Sequence, residues 1–203
     1  VGRLFTRLAD LVRGTTARQR VGQQLTAEQR LMQRVGAVKR AEFIQTKAMR
    51  ARISTGRATE SMGRAEERLR RAESAVRDAR KTVNARIGPA YARGDIQPFH
   101  LEHLRARGLA NHTWLDDMTR WDLSRQAARL EGVEAQLGRH TATHLDDAQR
   151  HVNEGLHLAR THRMDAPDLH RLQDEVAELA LRRSELTRRA GTARTEISGS
   201  TFP

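Results

Sequence analysis

The chain has 203 residues, of which only 3% are aromatic and 31% are charged, and it contains no cysteine. This composition excludes disulfide frameworks and cysteine-based zinc or catalytic sites, and it favours long helices that meet along narrow seams over a thick core. The net charge is +12, and residues 1–86 alone hold an excess of 13 basic residues, so we expect an anionic partner.

The first predicted element is an amphipathic helix over residues 1–13. Its large apolar side chains fall within an arc of about 120°, and its charged side chains fall outside that arc. We expect the helix to end at Gly14 and residues 14–25 to form a polar linker. The candidate membrane-binding residues of this segment are Leu4, Phe5, Leu8, Leu11, Val12, Arg3, Arg7 and Arg13.

A very long helix is predicted next, beginning at a capping box formed by Thr26 and Gln29. Its seam positions alternate between spacings of four and three, which is typical of a left-handed coiled coil. The Gly88-Pro89 pair predicts that the helix ends near Ile87. The predicted seam consists of Ala37, Ile44, Ala51, Ala58, Ala65, Ala72 and Ala79, alternating with Ala41, Ala48, Thr55, Met62, Leu69, Val76 and Val83.

Two further helices are predicted after an irregular connection. The first runs from Trp114 to about His162, and its less regular apolar spacing predicts a register shift or a kink. The sequence Asp165-Ala166-Pro167-Asp168 then predicts a break and a restart. The last helix has a regular heptad pattern, and its predicted seam consists of Leu169, Leu172, Val176, Leu179, Arg183, Leu186, Ala190, Ala193 and Ile197.

Strand signals are absent, so we predict an all-α fold: a long antiparallel helical hairpin or coiled coil with an N-terminal amphipathic helix and a further C-terminal helix. The predicted organisation is an anchor at 1–13, a linker at 14–25, an elongated helical domain at 26–197 and a tail at 198–203. Exposed seams can pair between copies, so we also expect self-association into homo-oligomers.

Basic side chains surround the alanine seam and predict an anion-binding face, because glutamates four residues away can pair with only part of this charge. The candidate anion-binding residues are Arg50, Arg52, Arg57, Arg64, Arg68 and Arg71. The sequence contains no phosphate-binding loop or nucleophile elbow, so we expect no enzyme activity, no cofactor and no small-molecule substrate. His140, His144 and His151 share one helical stripe, which we interpret as solvated polar surface rather than as a metal site.

Residues 2–12, GRLFTRLADLV, resemble the N-terminal amphipathic helix of the phage-shock-protein A family, the bacterial relatives of ESCRT-III. The resemblance runs in order through Gly2, Leu4, Phe5, Thr6, Arg7, Leu8, Ala9, Asp10, Leu11 and Val12, with Arg3 as one extra residue. It implies a helix that inserts into membrane surfaces, followed by a long helical hairpin that polymerises into rods or rings.

Three functional hypotheses follow, and the third of them is a stand-alone helical adaptor that binds a protein partner. The leading one is a non-enzymatic, cytoplasmic protein that binds an anionic membrane peripherally at its inner face and self-assembles, as in ESCRT-III-like membrane maintenance or remodelling. The alternative is a basic coiled-coil protein of a mobile element or phage that binds nucleic acid or acts as a scaffold. Residues 1–13 enter the membrane in the first hypothesis, whereas in the second they dock on the bundle and the arginine face contacts phosphates.

Overall fold

The computed structural model describes the backbone of residues 2–97, 100 and 107–199, and the side chains of residues 30, 33–97, 100 and 107–199. The helices are α1 (Gly2–Ala92), α2 (Asp117–Ala135), α3 (Ala142–Thr161) and α4 (Pro167–Ser198); a π-helical turn (Gln136–Thr141) joins α2 to α3, and a short 3₁₀ helix (Leu109–Asn111) precedes α2. Within these ranges there is no strand beyond a single antiparallel bridge between Arg107 and Gly199. The prediction of an all-α fold is confirmed.

The backbone of α1 is helical without a break, which corrects two predicted helix ends. It passes through Gly14 and residues 14–25, where we expected a linker, and it passes Pro89 to end at Ala92. A single glycine inside a helix costs only about 1 kcal/mol, and the residues around Gly14 are largely good helix formers. Pro89 removes one backbone donor close to the end of the helix, where few hydrogen bonds remain to be lost.

The end of α1 is set by Gly94, which adopts a left-handed conformation with φ of 79°. Its N–H donates to the carbonyl of Tyr91 at 3.0 Å, and the N–H of Asp95 donates to the carbonyl of Ala90 at 3.0 Å. This pair of hydrogen bonds is the Schellman motif, which satisfies carbonyls left without partners at a helix end. A glycine is suited to this position because it adopts positive φ without steric cost.

The predicted seam of α1 is buried from Ile44 to Val83, with only Ala48 half-buried. Before Ile44 the prediction was wrong, because Ala37 is exposed and Ala41 is half-buried. The helices that cover α1 begin at this point: Ile44 lies in one cluster with residues at the end of α3 and the start of α4. The seam pattern therefore continues along α1 beyond the part that the other helices cover.

The contacts between helices define the direction of each chain segment. Lys47 pairs with Glu154, and Ser61 lies 2.9 Å from Thr141 through their hydroxyl groups, so α3 runs antiparallel to α1. Helix α4 runs parallel to α1. Three ion pairs join α4 to α1, and the two residues of each pair are separated by the same number of positions in the sequence, as parallel helices require. The pairs are Glu66–Arg182 at 2.6 Å, Glu73–Arg189 at 2.8 Å and Arg80–Glu196 at 2.9 Å.

Helix α4 packs along the other helices, and its C-terminal end contacts the segment that precedes α2. Every predicted apolar seam position of α4 is buried, whereas Arg183 in the same seam is half-buried. The carbonyl of Ser198 accepts a hydrogen bond from Asn111 Nδ2 at 3.3 Å. Ser198 is helical and Gly199 bridges to Arg107, so the predicted tail does not begin at residue 198; residues 200–203 lie outside the described part.

Candidate anion-binding groove

An open groove with a volume of about 520 Å³ lies between α1 and the segment formed by the end of α2, the π-helical turn and the start of α3. We call this segment the returning helix. A second groove of about 410 Å³ adjoins the first groove and shares Arg68 and Gly132. Gly132 leaves this part of the groove open, because no described side chain lies within 4 Å of the place that a Cβ would occupy. The larger groove is lined by Arg57, Glu60, Ser61, Arg64, Arg68, Gly132, Ala135, Gln136, Arg139, His140 and His144.

We call the two adjoining grooves together the double groove, and both of its walls carry arginines. Those of α1 include Arg57, Arg64 and Arg71, which are seven residues apart and therefore nearly two helical turns apart on one side of the helix. The opposite wall contributes Arg129 from α2 and Arg139 from the π-helical turn. Cations therefore face the same space from two directions.

Few carboxylates compensate this charge. Glu60 pairs with Arg64 and Glu67 pairs with Arg71, each across one turn of α1 and each exposed to solvent. Such exposed pairs contribute only about 0.3–0.5 kcal/mol and leave both side chains free to exchange partners. Four further arginines of the groove form no ion pair within the described part of the chain; they are Arg57, Arg68, Arg129 and Arg139.

The opposite side of α1 differs in its charge balance. A groove of about 340 Å³ between α1 and α4 contains Glu73 and Glu196 together with several arginines. There Arg189 donates two hydrogen bonds to Glu73, at 3.0 and 2.8 Å, and Arg80 pairs with Glu196. The acidic side chains of this groove thus hold arginines across the helix interface, whereas Arg57, Arg129 and Arg139 on the other side are left to solvent.

A polar network at the π-helical turn fixes the two walls relative to each other. Gln136 Nε2 donates to the Ser61 carbonyl at 2.9 Å and to the Ser61 hydroxyl at 3.0 Å. The Ser61 hydroxyl also lies 2.9 Å from that of Thr141, which is fully buried. Gln136 Oε1 accepts from Arg68 at 3.3 Å and so orients one of the groove arginines. Every polar side chain of this network has a partner, as buried polar groups require.

The π-helical turn is itself part of how the groove is built. A π turn accommodates an extra residue within a helix, and such turns are frequent at functional sites. Arg139 lies within it, and His140 and His144 follow on the same stretch of wall. The register shift predicted for the returning helix is therefore present, and it determines where Arg139 lies relative to α1.

Four of the six predicted anion-binding residues line the double groove, namely Arg57, Arg64, Arg68 and Arg71. Arg50 and Arg52 are exposed on earlier turns of α1 and do not line it. Sequence reasoning missed Arg129 in α2 and Arg139 in the π turn, because the irregular apolar spacing of this stretch did not show which side of it meets α1. The side chains of the predicted membrane-binding residues lie outside the described residues; they are Leu4, Phe5, Leu8, Leu11, Val12, Arg3, Arg7 and Arg13.

The histidine stripe is divided between two environments. His140 and His144 line the groove, whereas His151 is half-buried near Lys47 and Glu154. Burial lowers the pKa of His151, and the positive charge of Lys47 lowers it further. Among the residues that the structure describes, no group of three or more histidine or carboxylate side chains is arranged to hold a metal ion.

None of the helices whose residues are described is long and apolar enough to cross a membrane. Comparison of the chain with protein-family models, with curated proteins and with solved structures found no match.

Proposed function

We propose that this is a non-enzymatic helical protein that binds the phosphate backbone of nucleic acid in the groove between α1 and α2. The observation that carries the proposal is the arrangement of arginines on both walls with little compensating carboxylate. Arginine suits such a role because its guanidinium group binds phosphate in a bidentate manner.

The shape of the groove favours a linear polyanion. The stretch of α1 from Arg57 to Arg71 is about 21 Å long, calculated from a rise of roughly 1.5 Å per residue. That length corresponds to roughly six phosphates of one strand of a duplex, counted along its axis. One strand can lie along the groove while arginines from both helices contact it.

The groove favours duplex over single-stranded nucleic acid. Proteins that hold single strands stack bases on aromatic side chains, and none of the described residues that line the groove is Phe, Tyr or Trp. Trp121 is exposed, but it stacks against Arg125 on α2 and does not line the groove. We therefore expect binding that is independent of sequence and strongly dependent on salt.

Peripheral membrane binding with self-assembly, in the manner of ESCRT-III-like proteins, is the second candidate function. It is supported by the helical backbone of α1 from Gly2 onwards, since an interfacial anchor has to be helical, together with the apolar arc in the sequence of residues 1–13. In this case the anionic partner is the headgroup surface of the inner face of a membrane.

Two measurements separate the candidates. The full chain and a chain that lacks residues 1–13 are titrated with duplex DNA, and both are tested for co-sedimentation with anionic liposomes. If the groove binds nucleic acid, DNA affinity survives the deletion. If the membrane candidate is correct, liposome binding requires residues 1–13. A full chain that binds no duplex at 50 mM salt rules out the nucleic-acid proposal.

A further inference from the structure

One surface of α1 is apolar although nothing in the described part of the chain covers it. Val35, Val38, Met49 and Ile53 are between 43% and 63% exposed. At about 100° per residue they fall within an arc of roughly 60°. The buried seam residue Ile44 lies on the opposite side of the helix. We call these four residues the α1 apolar stripe.

The surroundings of the α1 apolar stripe are strongly basic. Residues 30–53 contain seven Arg and Lys but only one acidic residue, Glu42. Arg50 and Arg52 are exposed beside Met49 and Ile53. Two copies that paired through this same stripe would bring like charges together, which is unfavourable. The stripe is therefore suited to an acidic surface with an apolar centre.

Helix α4 carries a surface of that kind. Leu181 is 74% exposed, and Asp174, Glu178 and Glu185 lie on the same side of the helix within about 60° of it, together with the basic residue Arg188. Asp174 and Glu178 form no ion pair with any described residue, whereas Glu185 pairs with Arg188. We call Leu181, Asp174, Glu178 and Glu185 the α4 acidic surface.

We infer that the α1 apolar stripe of one copy docks on the α4 acidic surface of the next copy. The two surfaces are different, so the contact is heterologous, and each bound copy still presents one free surface. Contacts of this type add copies head to tail and form open chains or rings. The groove from Arg57 to Arg71 is not part of either surface, so this inference is independent of nucleic-acid binding.

The contact depends on charge, because the α4 acidic surface offers a single large apolar side chain. Exposed charge pairs are screened at high ionic strength. We therefore expect the full chain to form oligomers at 50 mM salt and to dissociate toward monomer at 500 mM salt. Sedimentation velocity over a range of protein concentrations measures both states.

Two variants test the assignment of the surfaces. Ile53→Glu places an acid in the α1 apolar stripe, and the double variant Asp174→Arg and Glu178→Arg reverses the α4 acidic surface. Each variant alone is expected to lose the oligomers. Mixed together they are expected to form a 1:1 dimer that grows no further, because each copy retains the surface that the other has lost. Met118→Glu is the matched control, since Met118 is 79% exposed but belongs to neither surface.

Circular dichroism confirms that each variant remains helical. The inference is overturned if the full chain is monomeric at 50 mM salt, if Met118→Glu disrupts assembly as strongly as Ile53→Glu, or if the mixed variants form no dimer. Duplex binding by a monomeric full chain would reject this inference while leaving the proposed function intact.

Discussion

Removal of two groove arginines tests the proposed function most directly. The double variant Arg57→Gln and Arg139→Gln takes one cation from each wall. Neither side chain forms an ion pair in the described part of the chain, and both are exposed, so we expect the stability of the fold to be unchanged. Only the contacts with phosphate are expected to be lost.

The expected size of the effect follows from counterion release. Each phosphate neutralised on duplex DNA contributes about −0.9 to the slope of log affinity against log salt. If Arg57, Arg68, Arg129 and Arg139 each contact one phosphate, the slope is about −3.6 for the unmodified chain and about −1.8 for the double variant. Between 50 and 200 mM salt, affinity then falls about 150-fold for the former and about 12-fold for the latter.

Fluorescence anisotropy of a labelled duplex at four salt concentrations measures these slopes. The matched control is Arg160→Gln with Arg171→Gln, which removes the same charge from two exposed positions outside the groove. We expect the control to keep the slope of the unmodified chain. An equal fall in slope for both double variants would refute the reasoning, because it would mean that total charge rather than the groove determines binding.

Four further predictions concern stability. Burial lowers the pKa of His151 from 6.5, so the unfolded state binds its proton more readily, and stability is expected to fall as pH decreases below about 6.5; His151→Asn should reduce this dependence in urea titrations followed across pH. A Cβ on Gly155 would lie 2.5 Å from Leu169 Cδ1, so Gly155→Ala should cost about 1–3 kcal/mol. Gly63→Ala, where the space is open, should instead stabilise α1 by up to about 1 kcal/mol in the same urea assay. Thr141→Val removes a fully buried hydroxyl from its hydrogen bond and should lower the midpoint of urea unfolding by an amount equivalent to about 1 kcal/mol.

The buried seams were predictable because their chemistry repeats. From Ile44 onwards, alanine at every seventh position of α1 marks the side that the other helices cover, and the heptads of α4 do the same up to Ile197. The ends of α1 were not predictable from Gly14 and Pro89 alone. A single unfavourable residue costs a local amount, whereas helix formation is cooperative over many residues.

Only half of the groove could be predicted. The wall formed by α1 follows from arginines at a seven-residue spacing, which any helix places on one side. On the opposite wall, the position of Arg139 depends on a π turn, and the presence of that turn was indicated only by irregular apolar spacing. The exact position of an inserted residue depends on tertiary contacts such as those of Gln136 with Ser61.

The ion pairs between α1 and α4 have a consequence for how the two helices align. A seam of alanine and leucine repeats every seven residues, so it would tolerate a slip of one heptad. The ion pairs would not tolerate this slip, because the glutamate lies on α1 in the first two pairs and on α4 in the third. A slip in one direction places Glu196 opposite Glu73, and a slip in the other places Arg189 opposite Arg80. The charges therefore allow one alignment among several that the apolar contacts alone would accept.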